Sequence, residues 1–215
     1  SSVTYMTSSF ASGSTIFGND TSDTHTFTGS LFITGSRIDL HDGDNNVAVG
    51  KDAGKSLTTG AANVVIGSDA GTALTTAASN VVIGKSAFNT ADAGENWNIV
   101  IGQDAGGSIN HADSDSNILI GVDAGTGGAA AMIGCIAIGK DSMNSTAGNA
   151  QTGTIAIGQD ALTALTSGLY NTAVGYQSAK AITTGAGNTT LGYQAMDSAD
   201  GGESYNVAIG QHAMG

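Results

Sequence analysis

The 215-residue sequence contains no proline, one cysteine, 5% aromatic residues and only six lysines and arginines. Each scarcity excludes something. Without proline or a Gly-x-y period, the 33 glycines do not spell collagen. A lone Cys135 closes no internal disulfide, so neither an oxidising nor a reducing compartment is indicated. With so few aromatics, any core has to be assembled from Val, Ile, Leu and Ala, which favours thin layers. Six basic against 18 acidic side chains leave a formal charge of −12. Phosphate backbones and anionic membrane surfaces repel such a chain, so nucleic acid is not an expected partner. No apolar run approaches the ~18 residues of a membrane span, and the opening Ser1-Ser-Val-Thr-Tyr5 lacks a signal-peptide pattern, so membrane insertion is not expected. The missing initiator methionine points to processing or a fragment.

What the sequence does have is a repeat. A short β-prone word ending in glycine occurs ten times, at Gly50, Gly67, Gly84, Gly102, Gly121, Gly139, Gly158, Gly175, Gly192 and Gly210, at intervals of 17 to 19 residues. The residue before each glycine is Val, Ile or Leu, and the one two earlier is Val, Ile or Thr; in a strand these two share a face. A unit this short cannot bury its own apolar face, whereas stacked copies build continuous aliphatic ladders. The expected fold is therefore all-β: a parallel β-solenoid of about ten rungs over residues 45–215. Residues 1–44 lack the repeat and read as a β-rich collar or connector. No polar cap follows the last repeat, so the natural chain is expected to continue beyond Gly215.

Between the two ladder positions, where an ordinary solenoid strand would show polar residues to water, stand Val65, Val82, Val100, Leu119, Ala137 and Ala156, among others. Strands apolar on both sides need cover on both. The expectation is a homotrimer in which these six residues form the interface between chains.

A second column, four residues before each glycine, is Asn at eight rungs, with Cys135 and Thr154 in the middle of the array. Stacked amides hydrogen-bond to one another, and Asn tolerates a left-handed corner, so this column reads as structural. Two residues after the glycine run Asp52, Asp69, Asp104, Asp123, Asp141 and Asp160. Carboxylates repeated one rung apart pair by geometry along most of the stack and single out no acid–base couple, so the column reads as a solvated stripe. Calcium is the one cation its oxygen-rich chemistry would suit; otherwise no cofactor is expected. Gly50-Lys-Asp-Ala-Gly54-Lys-Ser56 has three residues where a phosphate loop needs four. His111, Asp113, Ser114 and Asp115 are triad residue types adjacent on one loop, not triad geometry. The histidines are scattered. The chain is not expected to be an enzyme. Among the few aromatics, Trp97, Tyr176 and Tyr193 are candidates for stacking on a glycan or other receptor.

The words Asn171-Thr-Ala-Val-Gly-Tyr-Gln177 and Asn188-Thr-Thr-Leu-Gly-Tyr-Gln194, with Thr-Thr-Gly at 58–60 and 183–185 and Ser12-Gly-Ser-Thr-Ile-Phe-Gly18 upstream, resemble repeats in tail-fibre and other virion structural proteins of tailed bacteriophages, notably marine ones. The Asn-x-Ala-Ile-Gly core is also similar, more loosely, to head repeats of trimeric autotransporter adhesins, whose usual unit is shorter. The first resemblance implies a trimeric spacer in a virion appendage, attached to other tail or baseplate proteins and holding a receptor-binding region toward a host-cell glycan or protein. The second implies a bacterial surface adhesin head that binds host cells or matrix.

Overall fold

In a computed structural model, the described residues are 44–215 apart from 93, 147 and 200, so the collar expected over 1–44 lies, but for Asp44, outside them. All described residues belong to one compact unit, Leu40–Gly215. They form strands and turns, with no helix among them.

Each repeat word becomes a three-residue strand: β1 (Val47–Val49), β2 (Val64–Ile66), β3 (Val81–Ile83), β4 (Ile99–Ile101), β5 (Ile118–Ile120), β7 (Ile136–Ile138), β9 (Ile155–Ile157), β10 (Thr172–Val174), β11 (Thr189–Leu191) and β12 (Val207–Ile209). β6 (Met132–Ile133) and β8 (Gln151–Thr152) form a separate parallel pair. The ten strands make one parallel sheet in chain order, with equivalent residues in register, as in Val82↔Val100 and Val100↔Leu119. The backbone bonds run along the stack: Ile99 N–H donates to Asn117 O and Gly121 N–H to Ile101 O, each at 2.8 Å. This is the parallel β-solenoid. At ~4.8 Å per step its ten strands span roughly 43 Å.

Strand parity decides what each column does, and it reverses the expectation for the trimer interface. Val65, Val82, Val100, Leu119, Ala137 and Ala156 are fully buried inside their own coil. The aliphatic residues on either side of them face outward and keep solvent contact, as in the partly exposed, buried, partly exposed pattern of β2, β3, β5, β7 and β9. The physical reason is the Asn column. An Asn four before the glycine shares a strand face with the residue two before it. Its amide needs buried partners, so both turn inward, and the flanking Val and Ile turn out.

Opposite the inward column stand small residues, Ala70, Ala87, Ala105, Ala124 and Ala161, with Leu74, Ile109, Leu165 and Ile182 filling the remaining space. One coil is too thin for a second large layer, so size is matched locally. Phe88 is the largest buried side chain, and a Cβ on Gly106 of the next coil would lie 3.1 Å from its ring. Thr190, the one polar residue of the inward column, bonds through its hydroxyl to Ser178 at 2.7 Å, where most coils have Ala.

The repeat glycine marks the corner. Gly121 has φ +136°, and a Cβ there would lie 2.6 Å from Gly139 O. Neither the dihedral nor the space admits another residue.

Candidate interaction surface

The Asn column is a continuous hydrogen-bonded spine through the first five rungs. The Asn63 side-chain amide and backbone N–H both donate to Asn46 Oδ1 (3.0 and 2.9 Å), and Asn80, Asn98 and Asn117 repeat the arrangement. Each amide also donates across its coil, as from Asn98 to Ser114 O at 2.9 Å. The spine stops at Cys135, whose N–H still donates to Asn117 Oδ1 at 2.9 Å but which passes no amide onward. Gln151 there donates to Thr166 O at 3.1 Å, replacing the cross-coil bond from a neighbouring position. Its own Oε1 and the Thr154 hydroxyl are buried with no hydrogen-bond partner. Burial raises the Cys135 thiol above its ordinary pKa, which keeps it protonated and unreactive. From Asn171 the spine resumes through Asn188 to Asn206.

The acidic column sits at a left-handed corner, Asp52, Asp69, Asp104, Asp123, Asp141 and Asp160 all having φ between 55° and 58°. Asp accepts that backbone more readily than most residues. Four of these six carboxylates are answered by the side chain one residue earlier: Ser68 to Asp69 at 2.8 Å, Gln103 to Asp104 at 3.0 Å, Lys140 to Asp141 at 3.1 Å and Gln159 to Asp160 at 3.5 Å. Gln177 adds a donor to Asp160 at 3.3 Å. Asp123 follows Val122, which has nothing to donate. Its carboxyl is accordingly held above the usual range, first by partial burial and then by Asp141 and Asp104, against a smaller opposing effect of Lys140. The column is a laced polar stripe. Among the described residues, no three His, Cys, Asp or Glu side chains form a group that could hold a metal ion.

The other sequence candidates are occupied by the fold. Ser114 is buried, its hydroxyl accepting from Met132 N–H at 3.1 Å, while His111 Nδ1 accepts from Asp113 N–H at 3.2 Å within the same turn. Asp115 accepts from Asn96 N–H at 2.6 Å. The Ser114 and Asp115 bonds tie adjacent coils together and the His111 bond closes a turn; they make no triad. Gly54 N–H, in the false phosphate loop, donates to Ala70 O of the next coil.

Of the three aromatic candidates, Tyr176 and Tyr193 meet and Trp97 stands apart. Tyr176 and Tyr193 stack on consecutive rungs, with ring centroids 5.4 Å apart and planes 12° apart, and His212 meets Tyr193 edge-on. Stacking along the axis covers one face of the Tyr176 ring, and both tyrosines keep contact with solvent. Trp97 stands on the opposite flank of the strand, four rungs earlier, in a column it shares with Tyr170 and Tyr205. These three rings are 62%, 62% and 84% exposed.

A continuous apolar surface runs along the outer face of the sheet itself. Its two columns run from Val47 to Val207 and from Val49 to Ile209, and of twenty side chains eighteen are Val, Ile or Leu and two are Thr. None is ionisable. The apolar stripe expected from the sequence is there, on the other two columns.

No family model, curated protein or solved structure matches the chain.

Proposed function

We propose that this chain is a non-enzymatic structural module, a rigid homotrimeric spacer in a bacteriophage tail fibre or related virion appendage that holds a distal receptor-binding region away from the particle. One observation carries the reading: ten strands in unbroken parallel register, with backbone and Asn-amide hydrogen bonds both directed along the axis. Axial bonding repeated at every rung resists bending and stretching, which is what a spacer requires. The acidic column supports the non-enzymatic part, because its carboxylates recur rung after rung and mostly carry neighbouring donors, so none is set apart as an acid or base. The repeat resemblance supports the virion setting.

The exposed Trp97, Tyr170 and Tyr205 rings favour a second reading, a bacterial surface adhesin whose rod touches host material directly. Gold-labelled antibody against this chain, viewed by electron microscopy, separates the two. Label along a tail appendage of phage particles supports the spacer; label confined to the bacterial envelope replaces it with the adhesin.

A further inference from the structure

We propose that the outer face of the ten-stranded sheet is the surface through which copies of this chain associate, three strips meeting along a common axis. This deepens the spacer reading and rests on it for the three-fold arrangement; the choice of face rests on the residues alone.

The strip is apolar from end to end and open in a single chain. Val49, Ile99, Leu191, Val207 and Ile209 are 38–65% exposed, and most of the remaining side chains of the strip keep partial exposure even though rungs crowd one another. Exposed apolar surface of this continuity marks an interface. The occupant follows from shape and charge. Its surface has to present aliphatic groups at the strand spacing over roughly 43 Å, in register with this one. Another copy does so rung for rung. Copies carrying a charge of −12 repel one another, yet this strip holds no ionisable side chain and adds nothing to that repulsion.

A strip about 43 Å long and about 10 Å wide offers some 400–450 Å² per copy, or about 800–900 Å² between two copies, just under the ~1,000 Å² of a stable interface, so side chains at its rim have to add to the buried area.

The rim gives an independent sign. Trp97, Tyr170 and Tyr205 border the strip at φ 56°, 58° and 61°, a region aromatic side chains rarely adopt. Their column holds Asn, Ala, Ser or Gly at the other rungs. Large rings held in a disfavoured backbone and left in water gain burial when a second copy lies beside them.

Sedimentation equilibrium of the full chain tests this. The expected mass is three times the 21.1 kDa of one chain. The double variant Ile83→Asp with Ile120→Asp should sediment as one chain while keeping the far-ultraviolet β signal. A two-chain mass that the same variant abolishes keeps the face and corrects the three-fold arrangement. A wild-type mass of one chain with intact β signal overturns the proposal, as does a folded double variant that keeps the wild-type mass. Should the double variant not fold, Ile101→Cys in a Cys135→Ser background gives the answer by mild oxidation. Chain-to-chain disulfides at position 101, and none from Lys85→Cys, support the face; equal or absent cross-linking at both refutes it. Neither result depends on where the chain sits on a particle, so the face and the spacer reading can fail separately.

Discussion

The coils of β2 to β5 and those of β7 and β9 have the same sheet but different interiors. In the first group, Asn63, Asn80, Asn98 and Asn117 pass hydrogen bonds from coil to coil; in the second, Cys135 and Thr154 interrupt the spine. The sheet runs through the interruption without a change of register. What changes is the far side of the coil, where β6 and β8 add a second parallel pair and Gln151 takes over the cross-coil bond. The strand ladder and the glycine corner therefore suffice to keep a coil in place. The amide spine adds rigidity and a fixed register, and where it fails, backbone pairing elsewhere in the coil offsets part of the loss.

This comparison can be broken at several points. Replacing the corner glycine should cost the same in both regions, because Gly121 and Gly158 have the same backbone and the same close neighbour one coil on. Gly121→Ala and Gly158→Ala should each lose at least about 3 kcal/mol in urea denaturation, since a strained dihedral alone costs ~1–3 kcal/mol and a backbone clash adds to it. Unequal losses would mean that the interrupted coils are held in another way. The amide spine should separate the regions. Asn98→Ala strips partners from the buried Asn117 amide and from Ser114 O and should cost about 2–4 kcal/mol, whereas Cys135→Ala should cost under about 1 kcal/mol. Cys135→Asn, which rebuilds a rung of the spine, should gain about 0.5–1.5 kcal/mol.

The smallest effect concerns Asp123. Its folded-state pKa is raised, so the native chain binds a proton more tightly than the unfolded chain there. Linkage then fixes the sign: this group weakens the fold above its raised pKa, and the penalty is relieved as pH falls through it. Asp123→Asn should raise the neutral-pH denaturation midpoint slightly and remove that part of the pH dependence. An unchanged pH profile would mean that the carboxylate is as well answered as its neighbours.

The repeat, the parallel stacking and the ten strands of the main sheet were legible in the sequence, because the glycine recurs every 17 to 19 residues and always follows Val, Ile or Leu; the β6–β8 pair was not, because it occurs at two coils only. The direction in which the strand faces was not, because aliphatic residues occupy all three strand positions and apolar character alone does not orient them. Two signals bear on it. The Asn column shares parity with the middle position, and that middle position is the one that shrinks to Ala at Ala137, Ala156 and Ala173, as a thin interior demands. Thr190 beside Ser178 is a third, since a hydroxyl in the inward column appears together with a hydroxyl to answer it. Phe88 and Gly106 stand in one column, four residues after their repeat glycines, on adjacent coils; that column mixes Gly with Phe, Met, Leu and Ala, so the period marks the position but not which side chain fills the space.

All of this turns on which side of the sheet lies inside the coil, and two adjacent substitutions decide it. Val100→Asp and Ile101→Asp, compared by far-ultraviolet circular dichroism and thermal melting at low protein concentration, place the same charge on opposite faces. The account predicts that Val100→Asp abolishes the folded signal, because an unpaired carboxylate enters a closed interior, while Ile101→Asp retains it. A folded Val100→Asp chain beside an unfolded Ile101→Asp chain would contradict it.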